Sequence, residues 1–311
     1  MSSIPTVRSA IGIHKVNLSM VLDADIVVKG VNFIDTGLYP VQEFPTAIGA
    51  ESSGTILALP TDKSVLEDPE YKKRGYTVGA RGGATVVGIH SNYASVPWKV
   101  VHVLPSGVST RTGVAALSQG LTALTFIEEA YNVQKGDTIL VHTVAGGIGL
   151  LFAQLIKARG ATVIGTTSTK KKAELAKANG ADHVILYKEE DTVQRVLELT
   201  NGEGVDAVFD GVGKDTGKGL SFPSETLAVP PFAPIRLVEK NLKLLRPTVA
   251  NYTLTAEELY HYTTELYALV ADGTLKIKVH KEYPFTAEGA IQAQKDLTGG
   301  HTTGKLLMKV E

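Results

Sequence analysis

Val144-Ala-Gly-Gly-Ile-Gly149 is the segment whose residue types and spacing can do the most chemistry. Small residues between an apolar run and a helical pattern let backbone N–H groups approach an anion. The helix N-terminus adds partial positive charge. That chemistry is the gripping of a dinucleotide's pyrophosphate. The spacing is not the full G-x-G-x-x-G: Gly149 and Gly146 fill its last and middle positions, and Val144 stands at the first. Taken alone, the cluster also fits a plain helix start after a strand in any α/β protein.

The flanking residues narrow the choice. Asp137 to Thr143 is a short β-branched run that predicts a buried strand, and Leu150 to Ala158, closed by Gly160, predicts a helix. Ala161 to Thr167, His183 to Tyr187 and Val205 to Asp210 predict further strands, with helices over Ala173 to Ala178 and Thr192 to Thr200. Strand and helix alternating at this pace predict an α/β, doubly wound parallel sheet. An NAD site expects Asp or Glu at the end of the second strand, about 20 residues past the glycines. Here that strand ends in Thr166-Thr167-Ser168-Thr169 and runs into Lys170-Lys171-Lys172. Hydroxyls and ammonium groups hold a 2′-phosphate that a carboxylate would repel, so NADPH is the expected cofactor. A solvated lysine-rich helix start would read the same way. Three cations there oppose the helix dipole, however, and call for compensation.

The 311 residues are 43% hydrophobic and 20% charged with net charge −1, which suits a globular chain of two domains. That balance argues against nucleic acid or an acidic membrane as partner. No signal-peptide pattern opens the chain, and no apolar stretch reaches the roughly 18 residues that span a bilayer, so a soluble cytoplasmic protein is expected. Cysteine is absent, which excludes disulfides, thiolate nucleophiles and cysteine-ligated zinc. Of the eight histidines, no two share a predicted helix at ligand spacing. His142 and His183 fall within predicted strands as core or edge groups, and no metal site is expected.

Before about residue 110 the pattern changes to short β-prone runs: Ala24 to Val31, Ser53 to Ala58, Ala84 to Ile89 and Tyr93 to Val103. Asp62 to Lys73 is polar and reads as a surface loop. Thr112 to Tyr131 reads as mostly helical, broken near Gly120. Thr255-Ala-Glu-Glu opens a helix in capping-box style that ends at Gly273. Leu275 to Val279, Ala287 to Leu297 and Lys305 to Val310 then read strand, helix, strand. The expected layout is a β-rich domain over 1–112, completed by 270–311, with a Rossmann domain over 113–269 inserted between.

This layout resembles the zinc-free, ζ-crystallin-like quinone oxidoreductases of the medium-chain dehydrogenase/reductase superfamily, most of all their fungal members. The matching blocks include Gly30-Val-Asn-Phe-Ile-Asp35, Gly37-Leu-Tyr-Pro40, Gln119-Gly-Leu-Thr-Ala123, Ala145-Gly-Gly-Ile-Gly149, Gly180-Ala-Asp-His183, Asp210-Gly-Val-Gly-Lys-Asp-Thr216 and Thr302-Thr-Gly-Lys305. The resemblance implies a GroES-like β-barrel domain with the Rossmann insertion, pairing as a homodimer through Rossmann edge strands. It implies NADPH as donor and a quinone as acceptor. By position, Ala145, Gly146, Gly147, Ile148 and Gly149 would line the pyrophosphate. Ser168 and Lys172 would face the 2′-phosphate, and Tyr187 would stack near the adenosine. Gln119 and Thr122 would sit by the nicotinamide amide. Asn32, Asp35 and Tyr39 would border the acceptor cleft as the catalytic set, although a turn after the strand ending at Val31 would also explain the first two.

Three segments are shorter than the resemblance implies: Ile13 to Val27, the single Thr36 between Asp35 and Gly37, and the residues between Gly219 and Val229. The last leaves no room for a fifth Rossmann strand; true deletions there would open the cleft. Two alternatives remain open. One is an NADPH-dependent enoyl or 2-alkenal reductase in which Tyr39 gives the proton. The other is an NADPH-binding protein with an RNA-binding or structural role, for which Lys170 to Lys172 would be the local basic cluster.

Overall fold

The computed structural model describes residues 19–27, 49–86, 91–211, 233–300 and 302–310. The chain opens with β1 (Ser19–Val27) and β2 (Glu51–Ala58), then two short helices, α1 (Lys63–Glu67) and α2 (Pro69–Lys73). Strands β3 (Arg81–Thr85), β4 (Tyr93–Pro97) and β5 (Val101–Val103) follow, and α3 (Thr110–Thr125) leads out of this region. The middle alternates β6 (Thr138–Val141), α4 (Gly147–Ala158), β7 (Thr162–Thr167), α5 (Lys170–Lys177), β8 (His183–Leu186), α6 (Thr192–Leu199) and β9 (Ala207–Phe209). The chain then passes through α7 (Val249–Tyr252), α8 (Ala256–Ala271), β10 (Val279–Pro284), α9 (Ala287–Thr298) and β11 (Lys305–Lys309).

Two sheets result. One has seven strands in the order β10-β11-β1-β2-β3-β5, with β4 also paired to β1. In it β11 joins β1 antiparallel, with Ile26 opposite Met308. The other sheet is parallel, in the order β8-β7-β6-β9. Apolar layers cover both its faces. Ile139, Val141 and Val163 pack with residues of α3, α4 and α8, while Leu140, Ile164 and Ile185 pack with Val196 of α6. Strands covered on both sides read as continuous apolar runs, which is why this part was visible in the residues. Strand order reverses between β6 and β9, and the carboxyl ends of those strands form the crevice where α/β sheets bind ligands.

Several expectations are corrected. Asp62 to Lys73 is not a loop: Asp62 and Asp68 cap two helical turns, each accepting from a backbone N–H at 2.8 Å. α3 is not broken at Gly120. A Cβ there would lie 2.5 Å from Leu266 Cδ1, so the glycine lets α8 cross close to α3. The helix instead changes character at Phe126–Ala130, a π-helical turn. The strand expected over Leu275 to Val279 begins only at Val279, and Leu275 is buried in the core beneath α8. The segment 212–232, which bears on the fifth Rossmann strand, lies outside the described residues. Among the described residues, no helix is long and apolar enough to cross a membrane.

Arg74 pins the β-rich part to α8. It donates to Lys99 O at 2.9 Å and to Ala256 O at 2.8 Å, with its guanidinium 4.7 Å from the Tyr260 ring centre. His102, on β5, stacks on the same Tyr260 ring at 6.2 Å.

Candidate dinucleotide site

The turn between β6 and α4 is built by exclusion of side chains. A Cβ on Gly149 would fall 2.4 Å from Thr143 O and 2.7 Å from Val144 Cα. Only glycine lets the first turn of α4 sit that close to the strand end. Helix α4 starts at Gly147, earlier than Leu150, which puts Gly147 and Gly149 within its first turn. Its N-cap is Gly146, with no side-chain hydrogen bond. Among the described residues, the other helices of eight or more residues are capped by Ser109, Thr169, Asp191, Thr255 and Thr286 side chains. The first-turn N–H groups of α4 thus lack the side-chain acceptor its peers have, at the carboxyl end of the first strand of a doubly wound sheet. Such donors fit a pyrophosphate.

Val144 in place of the first glycine has a structural reason. Its side chain is buried on Gly165 of β7, where a Cβ would lie 2.4 Å from Val144 Cγ1. The left-handed backbone falls instead on Thr143, φ 51°. Beneath the turn, His142 Nδ1 lies 3.0 Å from Thr166 Oγ1, and burial pushes the His142 pKa down, with Asp210 opposing. His142 is therefore a satisfied core group, as expected. His183 is an exposed group at the start of β8.

The residues expected at the 2′-phosphate lie in one short stretch, from the end of β7 into the first turn of α5. Ser168 follows the end of β7 and is half-buried. Thr169 caps α5 by accepting from Lys172 N at 3.3 Å. Lys170 and Lys171 point to solvent, whereas Lys172 is half-buried and donates from Nζ to Gly300 O at 3.2 Å. Tyr187 is exposed just past β8, its N–H bonded to Thr167 O at 3.2 Å, so it stands beside Ser168. Gln119 lies against the glycine turn: a Cβ on Gly147 would be 2.8 Å from both its amide atoms. Thr122, one turn on, donates its hydroxyl to Ser118 O at 2.7 Å. Ala145 is buried behind the turn, and Ile148 is half-buried at its rim. Asn32, Asp35 and Tyr39 lie outside the described residues.

A family model described as zinc-binding dehydrogenase matches residues 147–219, which begin at α4. A probable quinone oxidoreductase of Schizosaccharomyces pombe is 35% identical, over 90% of this chain and 85% of its own length. The chain belongs to the quinone oxidoreductase family. A crystal structure of Escherichia coli quinone oxidoreductase complexed with NADPH is 30% identical with a TM-score of 0.83, covering 94% of this chain and 92% of that one. A 2-haloacrylate reductase of a Burkholderia species is 31% identical over 90% of this chain and 87% of its own length. In this oxidoreductase, the sheet built from both chain ends and the parallel sheet between are the GroES-like and Rossmann units the resemblance implied.

Two features of the structure were not anticipated. Gly165 sits mid-strand, where only its approach to Val144 explains it. Glu51 and Lys305, both buried, face each other across the β-rich sheet.

Proposed function

We propose that this protein is an NADPH-dependent quinone reductase that works without metal. The observation that carries the reading is the α4 start, whose donors lack a side-chain cap, at the carboxyl end of β6, with Ser168 and the first turn of α5 following the carboxyl end of the neighbouring β7. The residues fit the cofactor: first-turn amides from Gly147 onward for the pyrophosphate, Ser168 and Lys172 for the 2′-phosphate, Tyr187 for the adenosine face, Gln119 and Thr122 for the nicotinamide end. Bound there, NADPH supplies the reducing equivalents. The protein's own part is orientation and electrostatics. Tyr39 or Asn32 would donate a hydrogen bond to the quinone oxygen where negative charge grows, with Asp35 at the cleft border. The catalytic unit would comprise 1–112 with 270–311, and the cofactor unit 113–269. Mixing the protein with NADPH and a simple para-quinone, and following loss of reduced-cofactor absorbance, tests the reading. Turnover above background supports it; none at high enzyme concentration contradicts it.

The haloacrylate-reducing relative favours a second reading, reduction of an activated C=C bond, with Tyr39 giving the proton. Parallel rates on a quinone and on a 2-alkenal or 2-haloacrylate separate the two.

Lys172→Ala should weaken NADPH binding by about 1–3 kcal/mol, the scale of a charge-assisted hydrogen bond, and leave NADH nearly unchanged. Calorimetric titration with both cofactors checks this; equal losses would refute the 2′-phosphate assignment. A cytoplasmic homodimer is part of the same reading. Light scattering gives the mass: a dimer supports this, a monomer at working concentration contradicts it.

A further inference from the structure

We propose that the buried Glu51 side chain, its charge met by Lys305, is a positioning device for the nicotinamide end of the cofactor site, acting through the oxygen it offers to α3. Lys305 Nζ lies 2.8 Å from Glu51 Oε1, and the two residues are 3% and 1% exposed. Among the described residues, each other ion pair leaves both side chains at least 21% exposed. A buried pair is weak evidence for stability, since apolar residues of similar volume often do as well or better. Its placement calls for another account.

That account lies in the second carboxylate oxygen. Glu51 Oε2 accepts the backbone N–H of Ser118 at 2.7 Å, in the interior of α3. One carboxylate thus joins β2, β11 and α3. The helix is tied to β2 a second time near its start, where Ser53 Oγ donates to Thr110 O at 2.7 Å. Two ties along one helix fix its rotation as well as its distance. The residue after Ser118 is Gln119, whose amide covers Gly147 in the first turn of α4. Lys305 answers the charge of the buried carboxylate, the other carboxylate oxygen holds the Ser118 N–H, and the helix then carries Gln119 to the turn. Neither charge touches cofactor or substrate.

The inference rests on the reading that the α4 turn takes NADPH, so wild-type binding is measured first. No binding there sinks that reading and this inference with it. Two double variants remove both charges together and strand neither. E51Q/K305M keeps an oxygen for the Ser118 N–H; E51L/K305M does not. Both are expected to melt near wild type. E51Q/K305M should keep wild-type NADPH affinity. E51L/K305M should raise the KM and Kd for NADPH about tenfold or more, as a small misplacement of a positioned group does. NADH should weaken by the same factor, unlike the selective loss expected for Lys172→Ala. Folded doubles that bind alike, whether both as wild type or both weakly, would overturn the proposal. Should E51L/K305M not fold, E51M/K305M, which also offers the Ser118 N–H no oxygen, takes its place. It should reproduce the loss at an unchanged melting temperature, and wild-type NADPH binding by that variant would overturn the proposal.

Discussion

A Gly149→Ala variant is expected to bind NADPH about 100-fold more weakly than wild type, the scale at which an ångström of misplacement acts on a preorganised site. The added Cβ would meet Thr143 O at 2.4 Å, Val144 Cα at 2.7 Å and Val144 C at 2.8 Å. All three are backbone atoms of the turn itself, so no side chain can swing away. Either the start of α4 or the turn must move, and both carry the donors proposed for the pyrophosphate. Gly147→Ala makes the contrast. Its Cβ would meet the end of the Gln119 side chain at 2.8 Å, a flexible group that can yield. Gly147→Ala should therefore keep the wild-type fold and lose less affinity than Gly149→Ala. Fluorescence titration with NADPH, alongside thermal melts, ranks the two; equal affinities would contradict the assignment of the turn.

Acid should destabilise this protein through His102. Burial, with the nearby Arg74 guanidinium adding to it, holds the His102 pKa down to about 3 in the folded state, against 6.5 for the free side chain. Above pH 6.5 the imidazole is neutral in both states and contributes nothing to the pH dependence. As pH falls below 6.5 the unfolded chain takes up a proton that the folded one refuses, so stability drops. The loss continues to about pH 3 and reaches on the order of 4 kcal/mol. Both ring nitrogens lack hydrogen-bond partners, so His102→Leu removes no such bond; it forfeits only the stack on Tyr260. Urea unfolding at pH 7 and pH 4.5 measures the effect. Between those values wild type should lose about 2–3 kcal/mol more than His102→Leu. Carboxylates shape the acid limb of both proteins alike, and the difference between them isolates the histidine. Identical pH slopes would contradict the account.

Much of the parallel sheet was legible because each of its strands is an apolar run between turn residues, and Gly160 and Gly180 stop helices in the expected way. The β-rich region was legible only as β content. Its sheet depends on pairings such as Ile26 with Met308, far apart in the chain. Gly120 misled because a glycine in a helical pattern reads as a break, whereas here it is a contact point for Leu266. Asp62 to Lys73 misled because charge suggests a loop, and the capping roles of Asp62 and Asp68 emerge only once the turns form. At the site, the glycine turn, Ser168 and Lys172 could be read directly. Gly165 could not, since its reason is the Val144 side chain on a neighbouring strand. Nor could Glu51 and Lys305, separated by 254 positions, since no local pattern marks two charges that will be buried together.

Parallel calorimetric titrations of the wild-type protein with NADPH and NADH show whether the glycine turn and the Ser168–Lys172 stretch hold a 2′-phosphorylated dinucleotide. The account predicts saturable binding of NADPH, at least about tenfold tighter than NADH, as one charge-assisted contact to the 2′-phosphate would give. No heat of binding with NADPH, or equal affinity for the two cofactors, would contradict it.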